Sequence, residues 1–228
     1  MSALQAAPDA AVPAYPNWAN RDLALHVVRV CANASIALRS GALERPSPQV
    51  GVSRDGDPTV LADAVRRALR EAEVALERCQ HHAVWTPVGA RSPSFWGRRL
   101  LREAVLHRWD AEQASGAAAD PDERQATELV DEFLNTDAPR AMTEADEQRS
   151  GDVTIQAGSR RWTVDLASGA VVDAGAWSAS ATISGEPAAV WLWLMRRDGL
   201  PGPVSIDDAQ GQASAFVERI DQLRRPKR

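Results

Sequence analysis

Up to about Asp137, apolar residues recur every three or four positions, the period of a helix with one buried face. The clearest case is 61–81, where Leu61, Val65, Leu69, Ala72 and Leu76 form one stripe with Arg and Glu outside it. That pattern predicts an amphipathic helix. Another helix is predicted to run to about residue 38, with Asn20 or Asn17 as its cap. Residues 95–112 predict a largely buried helix through Leu100, Leu101, Ala104, Val105 and Leu106. Asp120, Pro121 and Asp122 open a further helix over 123–134, with proline in its first turn. The stretches 41–58, 85–87 and 89–93 hold the Pro, Gly and Ser of loops.

Beyond Gly151 the period shortens to two. Alternation predicts strands at 152–157, 161–166 and 179–184, separated by Gly and Ser turns. A helix follows over 186–197, then a strand at 203–206 and a last helix over 212–223. The polar stretch 142–151 reads as a linker, so the chain divides into a helical bundle over 1–145 and a small mixed α/β domain over 150–228. The fold class is α+β.

Composition narrows the function. The chain has 228 residues, 26 basic against 31 acidic, and a net charge of −5. Charges are mixed along the chain, which gives no electrostatic footprint for nucleic acid or an anionic membrane. No apolar run approaches the ~20 residues that span a bilayer, and residues 1–11 lack the basic and apolar order of a secretory signal. The basic end, Arg224 to Arg228, reads as a solvated tail. Cys31 and Cys79 lie in helix-like segments without Cys-x-x-Cys spacing, as expected of two buried free thiols in a reducing cytoplasm.

The candidate chemistry centres on Glu103 and His107. Four apart on a helix, they share a face and can hold one metal ion between them. His26, on the separate helix-like run from Arg21 to Val28, is the best candidate for a third ligand. Two imidazoles, one carboxylate and an open position form the usual set of a catalytic zinc. The same residues also fit a hydrogen-bonded core histidine and a surface Glu/His pair. Asp22, four before His26, and Asp110, three after His107, are placed to accept the second imidazole N–H of each; a helix-start charge and a solvated turn are their alternatives. His81 and His82 fit the end of their helix better than a metal site. Most of the eight tryptophans are expected in cores or interfaces, with one or two lining a pocket.

These residues, taken in order, resemble the mycothiol-dependent maleylpyruvate isomerase family of actinobacteria, within the DinB-like metalloenzyme group. The matching motifs run through Val12-Pro13, Pro16-Asn17-Trp18, Asp22-Leu23, His26, Val84-Trp85-Thr86, Phe95-Trp96, Arg98-Arg99, Glu103 and His107 to Glu112. They continue in Asp131 to Leu134, Gly185-Glu186-Pro187, Trp191 to Leu194 and Arg197. The resemblance implies a DinB-like bundle with a divalent metal, usually zinc, on His26, Glu103 and His107. It also implies a C-terminal domain of sterol-carrier-like type that helps cover the site. Mycothiol would be the low-molecular-weight thiol cosubstrate of a small-molecule substrate.

Departures from the pattern are local. Only about a dozen residues precede the Pro-rich motif, so the first helix is expected to be short, missing or supplied by another chain, and a homodimer, or another segment folded into it, would cover the resulting groove. Ala19 replaces the usual Ser or Thr cap, Arg102 a common His, and Arg196 a common Gly. The function implied is a thiol-dependent metalloenzyme acting on a small, carboxylate-bearing electrophile, as an isomerase or a thiol S-transferase. Arg197 is the catalytic candidate for pairing the carboxylate, on resemblance alone. The alternative is a non-catalytic metal- or ligand-binding module such as a sensor or accessory protein. An anti-sigma-like regulator is disfavoured by the missing His-x-x-x-Cys-x-x-Cys motif.

Overall fold

Two compact units, Met1–Ala119 and Asp120–Arg228, make up the chain in a computed structural model. It describes residues 2–116, 119–144, 150–172, 181–197 and 203–224. The first unit is helical and the second carries a mixed sheet, an α+β architecture.

In the first unit, α1 (Ser2–Ala6) is a five-residue helix, the short first helix expected. The long helices are α2 (Asn20–Ser40), α3 (Pro58–Glu77) and α4 (Ser94–Ala114). The start of α2 corrects the expected cap. Ala19, not Asn17 or Asn20, holds the cap position and offers no side-chain bond. Its backbone N–H instead donates to Asp22 Oδ2 at 2.9 Å, half of a capping box. Asn20 turns its amide Nδ2 to the Ala7 carbonyl at 2.9 Å, tying the N-terminal segment to α2. The α3 helix starts as its sequence suggests: Asp57 Oδ1 accepts from the Thr59 N–H at 2.7 Å, with Pro58 following. The predicted stripe is the buried one, with Leu61, Val65 and Ala72 packed against Val27, Val28 and Cys31 of α2. A further cluster joins Leu38, Val84 and Trp96, and the Trp96 Nε1–H donates to the Trp85 carbonyl at 2.9 Å.

The second unit opens with α5 (Glu123–Thr143), nine residues longer than the period predicted. Its extra turns run through Pro139, a residue that normally ends a helix pattern. Burial explains the continuation: Ala138, Ala141 and Met142 are inside. At Gly169, with φ 71°, a Cβ would come within 2.6 Å of the Ala138 carbonyl oxygen. Only glycine allows that close approach. The two compact units meet at Ala119/Asp120, ahead of α5.

The sheet has strand order β3-β2-β1-β4-β5, formed by β1 (Asp152–Ala157), β2 (Arg160–Asp165), β3 (Val171–Val172), β4 (Thr182–Gly185) and β5 (Ser205–Asp207). β1 pairs β2 antiparallel and β4 parallel. The two-residue β3 is too short for an alternation signal and was not anticipated. Much of the strand expected at 179–184 is β4, and its first two positions lie outside the described residues. Helices α6 (Pro187–Leu194) and α7 (Gln212–Arg224) complete the unit. Its core includes Phe133, Ile155, Ile183, Trp191 and Phe216. No helix among the described residues is long and apolar enough to cross a membrane.

Candidate metal centre

One face of α4 and one position of α2 converge. Glu103 and His107, one turn apart on α4, are buried, and His26 reaches them from α2. His26 Nε2 lies 3.1 Å and His107 Nε2 3.2 Å from the same atom, Glu103 Oε2. All three donor atoms lie within 4.8 Å of one another. A tetrahedral zinc with bonds near 2.0–2.1 Å needs its ligands roughly 3.3 Å apart, so the cluster is already near that spacing. The donor set fits a divalent metal; helical spacing pairs Glu103 with His107, and the fold brings His26 to them.

Two further bonds orient these side chains. His107 Nδ1 faces Asp110 Oδ2 at 3.1 Å, and Asp110 is only 1% exposed. That is the kind of outer contact that would fix a ligating imidazole with Nε2 toward a metal, and Asp110 is a buried partner of His107 rather than part of a solvated turn. Arg99 Nε donates to Glu103 Oε1 at 2.9 Å, which leaves Oε2 as the carboxylate oxygen aimed at the histidines. The expected matching role of Asp22 is not found. Its carboxylate caps α2 and accepts from Arg54 Nε and Nη2 at 2.8 and 3.0 Å, because loop 53–57 lays Arg54 across the helix start.

Electrostatics follow from burial and pairing. Burial alone would raise the Glu103 carboxyl, but hydrogen bonds from His107 and His26 and the charge of Arg99 hold it well below the usual carboxylate range. Burial likewise opposes a charged His107; Asp110 and Glu103, flanking both ring nitrogens, overcome it and raise the imidazole. Without a metal, both nitrogens of His107 face carboxylate oxygens, an arrangement suited to imidazolium. A divalent cation held by the three side chains would take the place of the proton at Nε2. Burial, then the charge of Glu103, pushes the nearby Cys31 thiol up to about 12.

Access is one-sided. The His26 side chain is 34% exposed, against 10% for Glu103 and 5% for His107. Beside it stands the turn between Val12 and Ala19. Val12 N–H donates to the Trp18 carbonyl, Tyr15 N–H to Val12 and Trp18 N–H to Tyr15, at 2.9–3.0 Å. These bonds stack the Tyr15 and Trp18 rings at 4.8 Å. Trp18 lies 5.4 Å from the His26 ring and Tyr15 6.1 Å from that of His107. Sequence reading missed Tyr15 and the clamp by Arg99. The available signals were a chain's single tyrosine between two prolines, and an arginine one turn before a ligand glutamate.

His81 Nε2 is 3.4 Å from the Arg39 carbonyl, and among the described residues neither His81 nor His82 belongs to a metal-capable cluster. Cys79 is half-buried, less enclosed than expected. Trp96, Trp109 and Trp191 are core residues. In the second unit, Arg197 is half-buried beyond the end of α6, with Nη1 donating to the Met195 carbonyl at 2.6 Å. Arg196 has φ 60° and pairs with Asp221 at 3.0 Å. A left-handed backbone at 196 explains why glycine suits that position.

A cluster of two histidines and a glutamate, buried on α4 and half-exposed at His26 of α2, gives the helical unit a candidate metal centre. Residues 1–112, just under half of the chain, match the family model of the mycothiol maleylpyruvate isomerase N-terminal domain. The match takes in His26, Glu103 and His107. No curated protein and no solved structure matches the chain.

Proposed function

We propose that the protein is a mycothiol-dependent metalloenzyme that adds a thiolate to a small, carboxylate-bearing electrophile, as a maleylpyruvate-isomerase-like isomerase or a thiol S-transferase. The observation that carries this reading is the convergence of His26, Glu103 and His107 donor atoms on one point with one ligand exposed. A divalent metal held there, zinc by its two-imidazole, one-carboxylate donor set, would lower the pKa of a bound thiol and supply thiolate at neutral pH.

The chain's own residues do the rest. Asp110 keeps the His107 Nδ1 protonated and its Nε2 lone pair available, while Arg99 holds Glu103 ionised and oriented. Tyr15 and Trp18 shield one side from water. Arg197 is proposed, from the family resemblance, to pair the substrate carboxylate in a fork that lysine does not reproduce. In the isomerase form, addition of the thiol turns a double bond into a single one, rotation follows, and elimination returns the thiol with the trans product.

We further propose a homodimer in a reducing cytoplasm. A cavity of about 230 Å³ among Leu4, Leu23, Val27, Val65 and Leu69, bordered by His107, is the groove a second copy would cover. Light scattering should read twice the 24.6 kDa of one chain; a single-chain mass contradicts the dimer.

Cobalt substitution tests the main reading. Titrating mycothiol into the cobalt-loaded protein should give a thiolate-to-cobalt charge-transfer band, and cis-unsaturated acids should be consumed only with thiol present. Metal binding without either response supports instead a non-catalytic sensor or accessory module.

A further inference from the structure

The aromatic pair at the mouth of the cluster is built rigidly for a turn of its length. Pro13 and Pro16 fix two φ angles, three backbone hydrogen bonds close the turn, and the ring planes of Tyr15 and Trp18 differ by 24°. Both rings are half-buried. The pair spans the site, with Trp18 against the exposed ligand His26 and Tyr15 against the buried ligand His107. A ligand reaching the donor atoms from the His26 side meets this wall.

An electrophile that adds a thiolate across a double bond, as the isomerase form requires, carries that bond conjugated to its activating carbonyl, and conjugation makes it flat. Flat π-systems gain from offset stacking on aromatic faces, beyond the gain from area alone. A bent saturated chain loses that term while burying as much apolar surface. We propose that Tyr15 and Trp18 are the specificity-determining wall of the site, selecting planar conjugated acids over saturated ones of the same length. This rests on the reading of the cluster as a site for an unsaturated substrate, and it adds two residues that reading did not contain.

The test compares sorbate with hexanoate, its saturated counterpart, by calorimetry on the full chain, both metal-free and zinc-loaded. Each acid brings the same carboxylate, so the ratio of affinities isolates the stack, while the change on adding zinc reports the metal separately. Wild type should prefer sorbate by about five-fold in both forms. Trp18→Leu and Tyr15→Leu should each bring the ratio toward unity with zinc content unchanged, and Trp18→Phe should retain the preference. A wild-type ratio near one, no binding of either acid, or a preference that survives in both leucine variants overturns the proposal. A preserved ratio that zinc leaves unaffected in absolute affinity instead counts against the metal reading and spares the wall.

Discussion

His107 Nδ1 and Asp110 Oδ2 lie 3.1 Å apart in a nearly water-free setting one turn along α4. The bond decides which ring nitrogen faces Glu103. Replacing Asp110 with Asn keeps the volume but removes the charge that holds Nδ1 protonated. Metal affinity should fall about 10–100-fold, as read by chelator competition, with the helical signal unchanged. Unaltered affinity contradicts the assigned role.

The pH dependence of the metal-free protein carries a specific sign. His107, raised from its ordinary 6.5, contributes stability fully below that value and loses it as pH climbs through the raised folded value. Glu103, depressed from 4.5, contributes above that value and loses it as pH falls through the depressed one. Denaturant midpoints of chelated protein should therefore peak between these two ordinary values as far as the cluster contributes. Zinc-loaded protein should gain stability toward alkaline pH, because the metal competes with protons for the imidazoles. Matching profiles for the two forms contradict the cluster as a metal site.

Asp22 acts on the helix start and not on His26. Asp22→Asn should cost about 1 kcal/mol of stability through the weakened cap and leave metal content untouched. Lost metal would return Asp22 to the site.

The part of this fold that carries the candidate metal centre was legible because both signals are local. Glu103 and His107 lie on one face by helical period alone, and the stripe from Leu61 to Leu76 marks the wall that packs on the His26 helix. Where contacts between distant segments decide, the sequence was less informative. Arg54 reaches Asp22 across 32 positions, and nothing near Asp22 announces it. Pro139 reads as a helix end, yet packing of Ala138 against the Gly169 turn carries α5 past it. Tyr15 gains meaning only when its turn stacks it on Trp18.

Arg196 offers a separate check on the second unit. Its φ of 60° is strained for a residue with a Cβ, and its ion pair with Asp221 is partly exposed, worth at most about 1 kcal/mol. Arg196→Gly should leave the thermal midpoint equal or slightly higher. A large drop would show that the pair outweighs the strain.

Metal content per chain, measured by elemental analysis, tests the central claim most directly. Wild-type protein should carry about one divalent ion per chain. His26→Ala and His107→Ala should carry almost none after the same dialysis, and Glu103→Gln should fall between. Equal metal in wild type and His107→Ala would contradict the assignment of His26, Glu103 and His107 as its ligands.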